Sequence, residues 1–318
     1  MPVEALRHLL AHNCAPLVVL GMHRSGTSYV TELLRAAGFM VAPGAGRGRQ
    51  SSLANERGFW EVPTLTNYNE RVLRVMGGDW SAPPMLEDRW YLDPRLDPLR
   101  ETGRTLASRH LRGTPVWKDP RLCLTMPLWE GDDRRLPVVL VVRNPLEVAD
   151  SLAARNRFAP EVGVALWDRY MRSALAHAHG RPAYVTDYAT ALRDADRVTD
   201  EVRLWGVGAG LAIDRRRPLD VARDDLRHER RDGHEVARSP LLSSAQRDLY
   251  ANYLDLAGAH ESLDIGALPG EESATTERLE ARRAQRLGER VPHGRIERAR
   301  RAALRRVSTM ARRVRDRS

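Results

Sequence analysis

A three-layer α/β/α domain around a central parallel sheet, with a basic helix at its C-terminal end, is the fold this sequence predicts. Three observations predict it. Short, wholly apolar runs alternate with stretches of helical periodicity. The first such run is followed by a glycine loop and then a helix pattern. The most apolar run, Leu136–Val142, is rich in valine and free of polar residues, as a central strand buried on both faces must be.

In chain order, Leu17–Leu20 is a strand, preceded by Pro16 and stopped by Gly21. After the loop GMHRSGTS, Val30, Leu33, Leu34 and Ala37 fall at helical spacing, and Gly38 stands where a helix stops. Residues 42–58 are glycine-rich and polar and read as a long loop. Helical patterns cover 62–76 and 95–112, and 114–117 is a short strand ending at Lys118-Asp119-Pro120-Arg121. The strand 136–142 ends at Arg143, and Pro145 opens a helix, since proline is tolerated in a first turn. Residues 161–178 form an amphipathic helix with Val164, Trp167, Met171 and Leu175 on its apolar side. A strand at 183–186 is followed by helical segments to about 208, and 241–258 is helical again. Residues 209–240 give no clear pattern. The stretch 262–276 reads as a linker, so the expected division is a nucleotide-binding domain over 1–262 and a linker with a helical tail over 263–318.

Composition excludes several classes. With 318 residues, 42% apolar and 29% charged, the chain is neither disordered nor collagen-like nor disulfide-stapled. Cys14 and Cys123 give no metal-binding spacing and fit a reducing compartment. The apolar runs 15–22 and 136–142 fall well short of the ~20 residues of a membrane helix, and residues 1–10 show no cleavable signal. A cytoplasmic protein is expected.

The net charge of +9 is concentrated: residues 294–318 carry ten Arg against Glu297 and Asp316, which leaves the rest nearly neutral. Of the 51 basic residues all but one are Arg; the exception is Lys118. Its ammonium is a compact charge with a titratable proton, whereas a guanidinium stays protonated, so a position that kept lysine invites a chemical reason.

Gly21-Met-His-Arg-Ser-Gly26-Thr27-Ser28 has the G-x4-G spacing of a phosphate loop, with Thr-Ser where nucleotide hydrolases carry Lys-Ser/Thr. Glycines let successive N–H groups converge on an anion, and the helix start behind them adds partial positive charge. Thr27 and Ser28 bring hydroxyls and Arg24 a two-pronged donor. Without the lysine, the triphosphate grip and a clear Mg²⁺ system are missing, and no metal site is expected.

This loop, set after an apolar strand, resembles the 5′-phosphosulfate loop of sulfotransferases that use 3′-phosphoadenosine 5′-phosphosulfate (PAPS), in its R-S-G-S/T-S carbohydrate-type and bacterial form. Three further blocks resemble the family in order: Asn55–Glu61 its acceptor-side segment, Trp117–Arg121 its K-x-P-R step, and Arg143 with Ser151 eight residues on its 3′-phosphate site. The resemblance covers 17–190 and implies PAPS as co-substrate, bound by Arg24, Ser25, Gly26, Thr27, Ser28, Arg143 and Ser151. It implies that Lys118 and Arg24 stabilise the leaving group and that Glu61 or Glu56 takes the acceptor's proton, with Glu61 the preferred candidate. The cytosolic branch places a His two residues after the matching Lys; here that residue is Pro120, which argues against phenol or steroid acceptors. The acceptor implied is a hydroxyl of a carbohydrate, glycolipid or small metabolite.

Asp119 is expected to orient Lys118 or Arg121, and His23 to pack against the loop backbone. Trp60, Trp80, Trp90, Tyr68 and Tyr91 cluster between the loop and Lys118, as core or as an acceptor wall. In the tail, Ile296, Ala299, Ala303, Val307, Met310 and Val314 form one stripe among arginines, a basic amphipathic helix. Such a helix fits peripheral contact with an anionic inner-membrane surface, nucleic acid, its own domain or a partner, and equally a solvated tail. Nucleic acid is the least expected partner, because the domain itself is nearly neutral. Two other functions stay open on sequence: an ATP–Mg²⁺ phosphotransferase and a non-catalytic sulfotransferase-like binding module.

Overall fold

The computed structural model describes residues 16–42, 60–113, 115–130, 136–218, 233–268, 271 and 273–288. A five-stranded sheet of β1 (Leu17–Leu20), β2 (Val116–Lys118), β3 (Val138–Val142), β4 (Ala183–Asp187) and β5 (Gly258–His260) runs in the order β2-β1-β3-β4-β5. The first four strands are parallel and β5 pairs antiparallel with β4 at one edge. Register places Val19 beside both Lys118 and Val139, so β1 ends between its two neighbours.

Every residue of β1, β2 and β3 is buried, which is why β1 and β3 read as unbroken apolar runs. Alternate side chains enter opposite layers. Leu17, Val19, Val116, Val139 and Val141 face the layer of α1 (Thr27–Ala37), α7 (Tyr188–Arg193) and α8 (Ala195–Gly208). Val18, Leu20, Trp117, Val138, Leu140 and Val142 face the larger layer. That layer holds α2 (Pro63–Val75), α3 (Asp97–His110), α4 (Leu122–Glu130), α5 (Pro145–Asn156), α6 (Pro160–Ala178), α10 (Ser244–Asp255) and α11 (Ser273–Arg286). A short helix, α9 (Gly233–Arg238), lies in the stretch 209–240, where no pattern is evident in the sequence. The three-layer architecture is the one predicted.

The helix patterns at 62–76, 95–112 and 161–178 appear within a residue or two as α2, α3 and α6. Two local readings need correction. The strand expected at 114–117 begins at Val116 and ends on Lys118 itself, because pairing with β1 fixes it. The stretch 262–276 is not linker throughout: Leu263 and Thr275 are buried, and α11, which begins at Ser273, lies against α6. A buried polar cluster joins the two, with Arg172 and Thr275 both donating to Asp168 at 2.5 and 2.9 Å. α11 was missed because its mean composition is polar; few apolar side chains suffice when the rest of the grip is ionic. Among the described residues no helix is long and apolar enough to cross a membrane. Glu56, Cys14 and the tail 294–318 lie outside the described residues.

Candidate active site at the strand tips

Parallel pairing delivers four chain segments to one end of the sheet, and this is where open α/β sheets bind ligands. β1 opens into the loop Gly21–Gly26, β2 ends on Lys118, β3 is followed directly by Arg143, and β4 by Tyr188. The first and last of these segments lie more than 160 positions apart in sequence, and the crossovers between parallel strands bring all four together.

The loop is shaped by steric necessity. A Cβ on Gly21 would lie 2.6 Å from the Val141 carbonyl oxygen, and one on Gly26 would lie 2.1 Å from the Tyr188 ring, with φ of 85°. Arg24 also adopts a left-handed backbone, at φ 72°, which costs a non-glycine residue about 1 kcal/mol or more and persists only where its surroundings enforce it. Two contacts enforce it from β3 and α5. Arg143 Nη1 donates to the Arg24 carbonyl at 3.0 Å, and Arg24 Nε donates to Ser151 Oγ at 2.9 Å. Thus Arg24, Arg143 and Ser151, singled out separately in the sequence, form one contiguous group. Arg143 is itself held by Glu147 at 2.8 Å and lies 5.0 Å over the Tyr188 ring.

Electrostatically the group is short of negative charge. Arg143 has Glu147, but no carboxylate among the described residues pairs with Arg24. Burial first, then repulsion by Arg155 and Arg143, brings the Arg24 guanidinium down to about 10. Helix α1 behind the loop starts without a side-chain cap and without an acid in its first turn, so no carboxylate offsets the positive end of its dipole there. Ser25 is buried, and its hydroxyl has no partner among the described residues. A cation with no carboxylate partner among the described residues, an orphan hydroxyl and an uncapped helix start adjoin along residues 24–27, a combination that suits an anion.

Lys118 stands at the other side of this spot. Its ammonium, 2% exposed, is 2.8 Å from Glu61 and 3.3 Å from Ser28 Oγ. Glu61 is thus brought to the one lysine of the chain across 57 residues. The residue before it, Trp60, has φ of 51°, an outlier for a bulky side chain, so the backbone that presents Glu61 is strained. Asp119 does not touch Lys118. It accepts from the Arg121 backbone N–H at 3.0 Å, from Arg121 Nη1 at 3.1 Å and from Asn69 at 2.9 Å. Arg121 also bonds Glu70 at 2.7 Å. Of the two roles open to Asp119, orienting Arg121 is the one observed.

His23 departs from expectation. Its ring packs on aromatic side chains, with centroids 4.5 Å from Trp80 and 5.8 Å from Tyr170. Burial and then the charges of Arg121, Lys118, Arg155 and Arg24 hold it well below the usual histidine range, so it is a neutral imidazole. Of the aromatic cluster, Trp90, Tyr68 and Tyr91 are core, whereas Trp60 and Trp80 stay half-buried near the loop. Sequence reading missed Asn69, Glu70, Tyr170 and Tyr188. Each reaches the site from another element, and no local pattern marks it. Cys123 accepts the Gly21 N–H at 3.2 Å, and burial pushes its thiol up to about 12.

No protein-family model and no curated protein matches the chain. Among solved structures, the chain aligns with the sulfotransferase domain from the Synechococcus PCC 7002 olefin synthase at 14% identity. That alignment covers 87% of this chain and 95% of the other, with a TM-score of 0.34. It also aligns with the sulfotransferase domain from the curacin biosynthetic pathway at 12% identity, covering 87% and 99%, with a TM-score of 0.35.

Proposed function

We propose that the protein transfers a sulfuryl group from PAPS to a hydroxyl of a carbohydrate, glycolipid or other small metabolite. The observation that carries the proposal is the half-buried Arg24 guanidinium, with no carboxylate partner among the described residues and joined through Ser151 and Arg143 to the tip of the next strand. A ligand that carries more than one anionic group suits a run of cations that extends from Arg143 through Arg24 and the loop to Lys118 at the neighbouring strand tip. PAPS, when bound, supplies the sulfuryl group and leaves as adenosine 3′,5′-bisphosphate.

The protein's own residues have distinct tasks in this reading. The loop N–H groups, Arg24, Thr27 and Ser28 hold the 5′-phosphosulfate end, and Arg143 with Ser151 the 3′-phosphate. Sulfuryl transfer, like phosphoryl transfer, is an in-line displacement in which charge builds on the bridging oxygen of the leaving group. Lys118 is suited to that oxygen because its ammonium is compact and can give up a proton. Glu61 is suited to take the acceptor's proton as the new O–S bond forms and the S–O bond to the phosphate breaks. The two are paired directly, Lys118 Nζ lying 2.8 Å from Glu61 Oε1. Glu61 must release Lys118 when the donor arrives.

The test is a thermal shift of the full chain with adenosine 3′,5′-bisphosphate against ATP–Mg²⁺. Stabilisation by the bisphosphate is expected. Stabilisation by ATP–Mg²⁺ alone would replace the reading with a phosphotransferase, and bisphosphate binding with no turnover of any acceptor would leave a binding module.

A further inference from the structure

The left-handed Arg24 is clamped on one side by Arg143; the residue before it is clamped from the far end of the chain. Four layers stack in sequence. The Arg282 guanidinium of α11 lies 3.9 Å over the Phe158 ring. Phe158 stacks on Trp80 at 5.9 Å and 29°. Trp80 lies 4.5 Å from His23, the third residue of the anion loop. A cation over a ring face and offset rings are both attractive arrangements.

Each layer is fixed separately. Phe158 follows the left-handed C-cap of α5, Arg157. The turn carrying Trp80 is held by Tyr170, whose hydroxyl donates to the Trp80 carbonyl at 2.7 Å. α11 grips the same turn twice: Arg282 Nε donates to the Ser81 carbonyl at 2.6 Å, and Arg286 pairs with Asp79 at 2.7 Å. The Asp79 carboxylate in turn accepts the N–H groups of Ser81 and Ala82. No residue of α11 belongs to the strand-tip site, yet the helix reaches it through this stack.

We propose that Arg282 is a positioning residue of the anion loop, holding His23, and with it the strained Arg24, in their anion-binding conformation through Phe158 and Trp80. The inference rests on the loop being the donor's anion site, as read above. A strained loop persists only where the surroundings over-determine it, and loosening one layer lowers the fraction of molecules ready to bind.

The experiment is calorimetric titration of the full chain with adenosine 3′,5′-bisphosphate, well below the unfolding transition of every variant. Arg282→Met is expected to raise Kd about 10-fold and Arg282→Lys, which keeps a cation over the ring, less than about 3-fold. Arg278→Met, an exposed cation on the same helix, should leave Kd unmoved. Trp80→Leu should match Arg282→Met, and the double variant should be no worse than either, because one missing layer already breaks the chain. A lowered Tm with unchanged Kd in Arg282→Met, or additive losses in the double variant, would overturn the proposal. Parallel titration with inorganic pyrophosphate separates it from the donor reading. Pyrophosphate binding that depends on Arg282, with no bisphosphate binding, keeps the stack and removes PAPS. Bisphosphate binding indifferent to Arg282 keeps PAPS and removes the stack, and binding of neither removes both.

Discussion

Replacing Arg143 with alanine tests both the fold and the donor site, and the structure says how much of the effect belongs to each. Arg143 and Glu147 are 8% and 2% exposed at the side chain and 2.8 Å apart. Stripping a buried carboxylate of its cation costs about 3–5 kcal/mol. At roughly 2–4 °C per kcal/mol for a domain of this size, Arg143→Ala should melt about 6–20 °C below wild type. Much of that is the stranded charge of Glu147. Arg143→Ala with Glu147→Gln should therefore recover about half of the loss, since a neutral amide is cheaper to bury. In that double variant, ligand binding can be read without the folding defect. Adenosine 3′,5′-bisphosphate at about 100 times its Kd stabilises the native state by ~2.7 kcal/mol, and the double variant should lose this shift. Circular dichroism melts with and without ligand measure both quantities. A double variant shifted by the bisphosphate as much as wild type would refute the role of Arg143 as a ligand donor. An Arg143→Ala melt within about 2 °C of wild type would refute the energetic reading of the buried pair.

Other perturbations give equally definite outcomes. Lys118→Met should lower turnover about 10²–10⁴-fold while leaving bisphosphate affinity within about 3-fold, and unchanged turnover would remove its role. Gly26→Ala forces a Cβ to 2.1 Å from the Tyr188 ring at φ 85°, so about 2 kcal/mol or more of stability and most bisphosphate binding should be lost; calorimetry showing both intact would contradict the loop geometry. His23 stays neutral in the folded chain, whereas the unfolded chain protonates it below about pH 6.5. The unfolded state then binds more protons, so stability falls as pH drops below that point, with a slope of up to ~1.4 kcal/mol per pH unit. Denaturant melts of His23→Gln should lack this component, and identical pH slopes in the two proteins would disprove it. The buried Cys123 thiol should resist iodoacetamide in the native chain and react on unfolding, as peptide mass spectrometry of the Cys123 segment would show.

The parts that were legible in the sequence are those set by local constraints. A strand buried on both faces must be apolar, so β1 and β3 declare themselves, and a glycine loop between strand and helix marks the candidate anion site. Lys118 stood out because it is the one lysine among fifty arginines. What stayed hidden depends on chain crossing. Nothing near Glu61 announces that it meets Lys118, and Tyr188 forbids a side chain at Gly26 only because β4 lies beside β3. β5 is three residues long and pairs only at an edge, too short for periodicity to register. α11 escaped notice because ion pairs and hydrogen bonds, rather than an apolar stripe, supply much of its attachment. Pro127 inside α4 likewise obscured a helix that buries nearly every side chain it carries.

A crystal structure of the protein with adenosine 3′,5′-bisphosphate examines the central claim most directly. The 5′-phosphate should sit within hydrogen-bond distance of the loop N–H groups and Ser28, and the 3′-phosphate within reach of both Arg143 and Ser151. Density for the nucleotide elsewhere, or with only one phosphate on these residues and the other in solvent, would contradict it.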